Sequence, residues 1–152
     1  MPSDSQTQPC WERLKDALIY DSGAGASAFN DLKWFIEIDT ERDAMCYRNA
    51  NGSINDVPVK GVVAYTTNLS TGQQVTVKLP ESRYNPTGYA NFICAGRMLD
   101  DGIFWDQKSH RLYKEDTGEV VTELERVDNH FVVPNAVPAS QQAEAKTADG
   151  KR

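Results

Sequence analysis

The sequence predicts an all-β protein with one or two short helices, closed as a barrel or a sandwich. Short apolar runs are separated by turn residues along most of the chain, at a spacing typical of strands. Asn51-Gly52 is a strong hairpin signal because both residues tolerate positive φ, and Ser70-Thr71-Gly72 marks a second hairpin. Charged residues make up 25% of the chain and apolar residues 39%, which is typical of a soluble globular domain.

The individual elements follow from the positions of these runs and turns. The first strand, at residues 17–20, is a continuous apolar run that ends at Asp21-Ser22-Gly23. Residues 32–38 fit either a strand or a helix. Residues 97–101 are predicted to form one helical turn that ends at Gly102. The remaining strands are predicted at residues 45–50, 54–66, 74–79, 92–95, 103–105, 111–114, 119–124 and 129–133.

Both ends of the chain lack the composition of a packed core. Residues 1–9 are rich in Ser, Gln and Pro, and residues 135–152 contain almost no large apolar side chain. Such segments cannot bury enough surface to offset the entropy lost on ordering, so both are predicted to be disordered tails. A single domain is therefore expected at residues 10–134.

The charge and the cysteines exclude several classes of function. The formal net charge of -6 disfavours nucleic-acid binding, because an acidic surface repels phosphates. No apolar run is long enough for a membrane helix and the first residues contain no apolar signal segment, so a cytoplasmic protein with no membrane partner is expected. Cys10, Cys46 and Cys94 form no C-x-x-C pair, so they are interpreted as reduced thiols, and neither a metal site nor a cofactor is expected.

Asp21 is the candidate catalytic residue, because it places a carboxylate at the end of a predicted buried strand. Gly23 allows the backbone to turn tightly beside it, and the Ser22 hydroxyl can brace the turn. A D-S-G triplet alone is more often an exposed turn. Here, however, the hairpin signal at Asn51-Gly52 and an apolar run that ends at Gly96 follow the triplet in order.

Larger motifs occur in the same order as in a known family. They are D-S-G-A followed by N-D and F within residues 21–35, A-N-G-S followed by V-P-V-K-G-V-V within residues 50–63, Y-N-P at residues 84–86, and N-F-I-C-A-G-R-M-L at residues 91–99. Over residues 11–134 the chain thus resembles the retropepsin-like aspartic protease domain of copia-type LTR retrotransposons. Two positions differ from the family pattern: Ala28 stands where many relatives have His, and Val63 replaces the second Gly of a G-x-G motif.

This resemblance implies a retropepsin-like acid protease barrel and an aspartic endopeptidase that cleaves a Gag–Pol-type polyprotein. One D-S-G triplet per chain implies a homodimer in which each copy contributes Asp21. Asp116-Thr117-Gly118 has a matching pattern, but charged residues precede it, so it is interpreted as a hairpin turn. The implied catalytic residues are Asp21, Ser22 and Gly23, and the implied substrate-binding residues are Ala24, Asn51, Gly52, Val57, Val59 and Ile93.

The resemblance also implies a flap and an interface between copies. The hairpin at residues 45–60, with Asn51-Gly52 at its tip, is expected to close over a bound peptide and exclude water. Residues 10–15 and 131–134 are expected to add strands to the interface. Two other interpretations stay open: a catalytically inactive, domesticated module for dimerisation or protein interaction, and an unrelated β-barrel that binds peptides or small ligands.

Overall fold

A computed structural model describes residues 10–39, 45–48, 54–57 and 59–140 of the 152-residue chain. This part of the chain is mostly β, with α1 (Cys10–Arg13), α2 (Ala95–Asp100) and one 3-10 turn (Leu32–Trp34). The strands are β1 (Leu18–Asp21), β2 (Ala28–Phe29), β3 (Phe35–Asp39), β4 (Met45–Arg48), β5 (Ile54–Val57), β6 (Lys60–Asn68), β7 (Gln74–Tyr84), β8 (Asn91–Cys94), β9 (Ile103–Asp106), β10 (Arg111–Lys114), β11 (Val120–Glu123), β12 (Glu125–Val127), β13 (His130–Val132) and β14 (Val137–Pro138).

The largest element is a mixed sheet of nine strands. Its order is β12-β13-β1-β8-β2-β7-β6-β14, and β3 lies in line with β14 along the outer edge of β6. β1 is parallel to β8 and β2 is parallel to β7, whereas the other pairs are antiparallel. Across the described residues β12 pairs only with β13, so the sheet is open and not the closed barrel that was expected. An alternating pattern predicts strands, but closure depends on the tilt and stagger of strands far apart in sequence.

Two smaller sheets complete the fold. β9, β10 and β11 form an antiparallel three-stranded sheet, and β4 pairs with β5 from Met45 opposite Val57 to Arg48 opposite Ile54. The predicted hairpin strands are thus confirmed, while its predicted tip, Asn51-Gly52, lies outside the described residues. The predicted strand at residues 54–66 is divided between β5 and β6, which belong to different sheets. Closure of the hairpin over a peptide stays a prediction.

β6 runs through the centre of the core. Every residue from 63 to 67 is buried, which indicates that both faces of the strand are covered. On one face the Tyr65 hydroxyl lies 2.7 Å from the Thr122 hydroxyl of β11, so a buried hydrogen bond joins the nine-stranded sheet to the three-stranded one. Burial raises the pKa of the Tyr65 phenol and the bond with Thr122 only partly opposes the rise, so the phenol stays protonated.

Local turn chemistry accounts for the short helical elements. The ambiguous segment at residues 32–38 forms both predicted structures in succession, the 3-10 turn and then β3. The Asp31 carboxylate caps the 3-10 turn by accepting a hydrogen bond from Lys33 N at 2.9 Å. The predicted helical turn is α2, and Gly102 follows it with a φ of +77°, which is a glycine conformation. No helix within the described ranges is long and apolar enough to span a membrane.

The ends of the described structure differ from the expectations. The structure continues past Pro134, because Val137 and Pro138 pair with Thr66 and Tyr65 of β6. These two residues add to the free edge of a strand, which their composition does not reveal. Residues 10–13 are helical, and β13 pairs with β1 and β12 within its own chain. The interface strands expected at residues 10–15 and 131–134 stay a prediction.

Candidate active site

Asp21 lies at the carboxyl end of β1, beside the carboxyl end of β8. The two strands are parallel, and the last register pair joins Asp21 to Cys94. The chain leaves β1 into the loop at residues 22–27 and leaves β8 directly into α2. Both exits therefore lie at one edge of the sheet, with the half-buried Asp21 carboxylate between buried strands and solvent.

The backbone after Asp21 folds back onto its own carboxylate. Gly23 N donates to Asp21 Oδ1 at 2.8 Å, and Ala24 N donates to the Asp21 carbonyl oxygen at 3.4 Å. This is an Asx-type turn, in which a short acidic side chain replaces a backbone acceptor. A Cβ on residue 23 would lie 3.3 Å from Asp21 Oδ1, so glycine leaves space for the carboxylate. Ser22 and Gly23 are exposed at the tip of the turn.

Two residues that the sequence analysis did not select hold the loop in place. Cys94 N donates to Ser27 Oγ at 2.9 Å, and Cys94 Sγ donates to the Ala24 carbonyl oxygen at 3.0 Å. Ser27 is only 2% exposed, and its carbonyl oxygen accepts from Arg83 N of β7 at 2.8 Å. The sequence indicates these supports only weakly, through a small polar residue shortly after Asp21 and a thiol within an apolar run.

A groove of about 300 Å³ lies beside Asp21. Its wall contains an aromatic cluster, in which the ring centroids of Tyr20 and Trp105 are 5.4 Å apart and those of Trp105 and Phe131 are 4.9 Å apart. Burial raises the pKa of the Tyr20 phenol, and the neighbouring Cys94 thiol adds to the rise. Asp21 is the only carboxylate among the described residues that line the groove, which are Ile19, Tyr20, Asp21, Ser22, Phe92, Trp105, Asn129, His130 and Phe131.

The predicted substrate-binding residues do not all lie together. Ala24 is half-buried in the loop after Asp21. Ile93 pairs with Tyr20 in the register of β1 and β8, but its side chain is 0% exposed and belongs to the core, so it offers no surface to a ligand in this chain. Its neighbour Phe92 points to the opposite face of β8 and lines the groove instead. Sequence proximity to the motif did not reveal this alternation.

The remaining substrate-binding predictions concern the segment before β6. Val59 is half-buried, and its carbonyl oxygen accepts from Tyr84 N at 3.1 Å. Val57 lies in β5 opposite Met45. Asn51 and Gly52 lie outside the described residues. Val59 therefore lies directly before β6 and bonds to the end of β7, whereas the described contacts assign Val57 only to its hairpin.

A polar network fixes the other end of β1 and β8. Asn91, which is 1% exposed, accepts from Asn30 N at 2.8 Å and donates to the Asp16 carbonyl oxygen at 3.1 Å. The side-chain Nδ2 of Asn30 donates to Asp16 Oδ1 at 2.9 Å and to the Gly88 carbonyl oxygen at 2.8 Å. These bonds connect the residues before β1, after β2 and before β8, and so hold the register that brings Asp21 beside Cys94.

The second acidic triplet has no comparable surroundings. Asp116, Thr117 and Gly118 form the exposed turn between β10 and β11, where Gly118 N donates to the Lys114 carbonyl oxygen at 2.7 Å. Gly118 has a φ of +73°, and Thr117 Oγ1 accepts from Glu119 N at 3.2 Å. The interpretation of this triplet as a hairpin turn is confirmed.

Nothing in the described part of the chain groups three or more His, Cys, Asp or Glu side chains into a possible metal site. No family model, curated protein or solved structure matches the chain. The site is therefore interpreted from its own geometry.

Proposed function

We propose that this chain is a retropepsin-like aspartic endopeptidase that acts as a homodimer. The observation that carries the proposal is the position of Asp21, at the end of a strand within a sheet and at the start of a turn that folds back onto its carboxylate. A carboxylate held in this way keeps a defined orientation beside the groove that Asp21 lines. Orientation of this kind is what acid–base catalysis requires of its side chains.

The homodimer supplies the second carboxylate. Aspartic proteolysis uses two carboxyl groups that share one proton, because two like charges about 3 Å apart cannot both ionise. Asp21 is the only carboxylate among the described residues around its groove. The exposed tip at Ser22 and Gly23 allows two copies to approach loop to loop, so that the two Asp21 side chains face each other across a two-fold axis.

The reaction divides the work between the two carboxyl groups. The ionised group takes a proton from a water molecule, and the resulting hydroxide attacks the peptide carbonyl carbon. The protonated group donates a hydrogen bond to the oxygen that gains charge, and a proton then passes to the leaving nitrogen as the C–N bond breaks. The substrate class that we propose is an extended peptide segment of a Gag–Pol-type polyprotein, in agreement with the motifs at residues 21–35 and 91–99.

Mixing the wild-type chain with an Asp21→Asn variant tests both the residue and the dimer. In an equimolar mixture at constant total protein, about one quarter of the wild-type cleavage rate should remain, because only dimers of two wild-type copies carry two carboxyl groups. About one half should remain if each chain acts alone. The substrate is a set of peptides that spans polyprotein junctions, and full-length chains are used throughout. Retention of the whole rate in pure Asp21→Asn protein would refute the proposal.

Two departures from the family pattern, Ala28 and Val63, favour a second function, a catalytically inactive dimerisation or interaction module. An inactive module would form dimers in sedimentation experiments, and wild type and Asp21→Asn would show the same absence of cleavage. A strictly monomeric chain at high concentration would contradict both functions.

A further inference from the structure

The loop that carries Asp21 is held at two places by one residue of the neighbouring strand. Cys94 Sγ donates to the Ala24 carbonyl oxygen at 3.0 Å, and Cys94 N donates to Ser27 Oγ at 2.9 Å. Cys94 is also the register partner of Asp21 in the parallel pair of β1 and β8. One residue of β8 thus lies beside Asp21 and holds the middle and the end of the loop that follows it.

These contacts form a continuous path to the carboxylate. The thiol holds Ala24 by its carbonyl group, Ala24 N donates to the Asp21 carbonyl oxygen at 3.4 Å, and Gly23 N donates to Asp21 Oδ1 at 2.8 Å. The Ala24 carbonyl group, Ala24 N and Gly23 N belong to three consecutive peptide groups of the loop. A shift of the Ala24 carbonyl group is therefore passed along the backbone to Gly23 N, the donor that orients the Asp21 side chain.

Ser27 fixes the far end of the loop to two strands at once. Its hydroxyl accepts from Cys94 N of β8, and its carbonyl oxygen accepts from Arg83 N of β7 at 2.8 Å. At 2% exposure the side chain is shielded from water, so its removal leaves the Cys94 N–H buried without an acceptor. The loop is therefore fixed at both ends, by β1 at its start and by the bonds of Ser27 at its end.

We infer that Cys94 and Ser27 are positioning residues of the active site, which act on the Asp21 carboxylate through the backbone of the loop. This inference rests on the proposed proteolytic function. Cys94 is 6% exposed and is not among the described residues that line the groove, so we assign it a supporting role behind the loop. Its thiol donates the hydrogen bond that reaches the Ala24 carbonyl oxygen.

Four single variants of the full chain separate positioning from general stability. Cys94→Ala removes the donor, Cys94→Ser keeps a donor, and Ser27→Ala removes the acceptor of Cys94 N. Ser82→Ala is the matched control, because Ser82 is also a buried serine, is 0% exposed and donates to the Leu79 carbonyl oxygen at 2.8 Å. For each variant, kcat, KM and the thermal unfolding midpoint are measured on one peptide substrate.

Cys94→Ala and Ser27→Ala should lower kcat by up to about 100-fold, the effect of a displacement of about 1 Å at a reacting group, with little change in KM. Cys94→Ser should recover most of this loss. Ser82→Ala should lower the unfolding midpoint without a selective loss of kcat. The inference is overturned if Cys94→Ala changes only the unfolding midpoint, or if Cys94→Ser loses as much kcat as Cys94→Ala.

Amide hydrogen exchange at Gly23 and Ala24 distinguishes failure of this inference from failure of the proposed function. If wild type shows no Asp21-dependent cleavage, the proposed function fails, but exchange still reports whether Cys94 holds the loop. Exchange at these amides should be about tenfold faster in Cys94→Ala than in wild type, as expected for the loss of one hydrogen bond, and near the wild-type rate in Cys94→Ser. Equal rates in wild type and Cys94→Ala would refute the positioning role whatever the activity.

Discussion

The loop after β1 and the turn between β10 and β11 both contain an acidic residue, a small hydroxyl residue and a glycine. The first triplet, Asp21-Ser22-Gly23, ends a strand that lies between β8 and β13, and Cys94 and Ser27 hold the loop that follows. The second, Asp116-Thr117-Gly118, is exposed and makes only the local hydrogen bonds of a hairpin turn. The same residue types therefore become a supported site in one place and a surface turn in the other.

The glycines of the two triplets are needed for different reasons. Gly118 has a φ of +73° with open space where a Cβ would lie, so its role is conformational. Gly23 has no such φ, but a Cβ there would lie 3.3 Å from Asp21 Oδ1. Its role is to leave room beside a carboxylate. A shared motif therefore does not imply a shared physical requirement.

The largest expected effect separates the two aspartates. Asp21→Asn should reduce cleavage by about 1000-fold, because an amide cannot exchange the catalytic proton. The variant should still fold, since the Asn side-chain oxygen can accept from Gly23 N as Asp21 Oδ1 does. Asp116→Asn should cleave at the wild-type rate. Peptide cleavage assays and circular dichroism on both variants check this, and equal activity of the two variants would remove the distinction between the triplets.

The next effect concerns how the three-stranded sheet, which carries the Asp116 turn, is attached to the rest. Tyr65→Phe leaves the Thr122 hydroxyl, at 0% exposure, without its partner at 2.7 Å. The free energy of unfolding should fall by about 1–3 kcal/mol, while kcat per folded molecule stays unchanged. Denaturant titration measures the loss. A double variant with Thr122→Val should recover part of it, because both polar groups are then removed; no recovery would contradict the hydrogen-bond explanation.

Replacing each glycine by alanine should produce opposite phenotypes. Gly118→Ala should lower the free energy of unfolding by roughly 1 kcal/mol through its positive φ and leave cleavage unchanged. Gly23→Ala should change stability less but lower kcat by about tenfold, because the new Cβ displaces the Asp21 carboxylate. Measurements of kcat and of thermal unfolding on both variants check that one loses mainly stability and the other mainly kcat. If both variants lose stability and neither loses kcat, Gly23 serves only the turn.

The smallest expected effect lies in the turn between β9 and β10. Hydrogen bonds from the Ser109 hydroxyl at 2.7 Å and from Lys108 N at 3.1 Å hold the pKa of the exposed Asp106 carboxyl below its usual value. A lowered folded pKa contributes stability that is present above the usual carboxyl pKa of about 4 and is lost as the pH falls through the lowered value. The thermal unfolding midpoints of wild type and Asp106→Asn should therefore differ slightly at neutral pH and converge in acid. If the two midpoints instead moved further apart in acid, folding would raise the pKa of Asp106 and not lower it.

Local patterns in the sequence predicted much of the secondary structure. The hairpin of β6 and β7, the strands β9 and β10, and the short helix that ends before Gly102 all follow from alternation and turn residues that lie close together in the chain. The candidate residue Asp21 could be selected in the same way, because the apolar strand, the acidic residue and the glycine are neighbours.

Those local patterns do not predict contacts between residues that are distant in sequence. The parallel pairing of β1 with β8 places Phe92, instead of Ile93, on the groove side of β8. Closure of the sheet depends on the tilt and stagger of strands that are far apart in sequence. The bonds from Cys94 to Ser27 and to Ala24 span 67 and 70 residues. The sequence by itself determined where a carboxylate ends a strand, because that is local chemistry. Only the tertiary structure decided what holds that carboxylate, because its supports come from strands whose arrangement depends on the packing of the whole core.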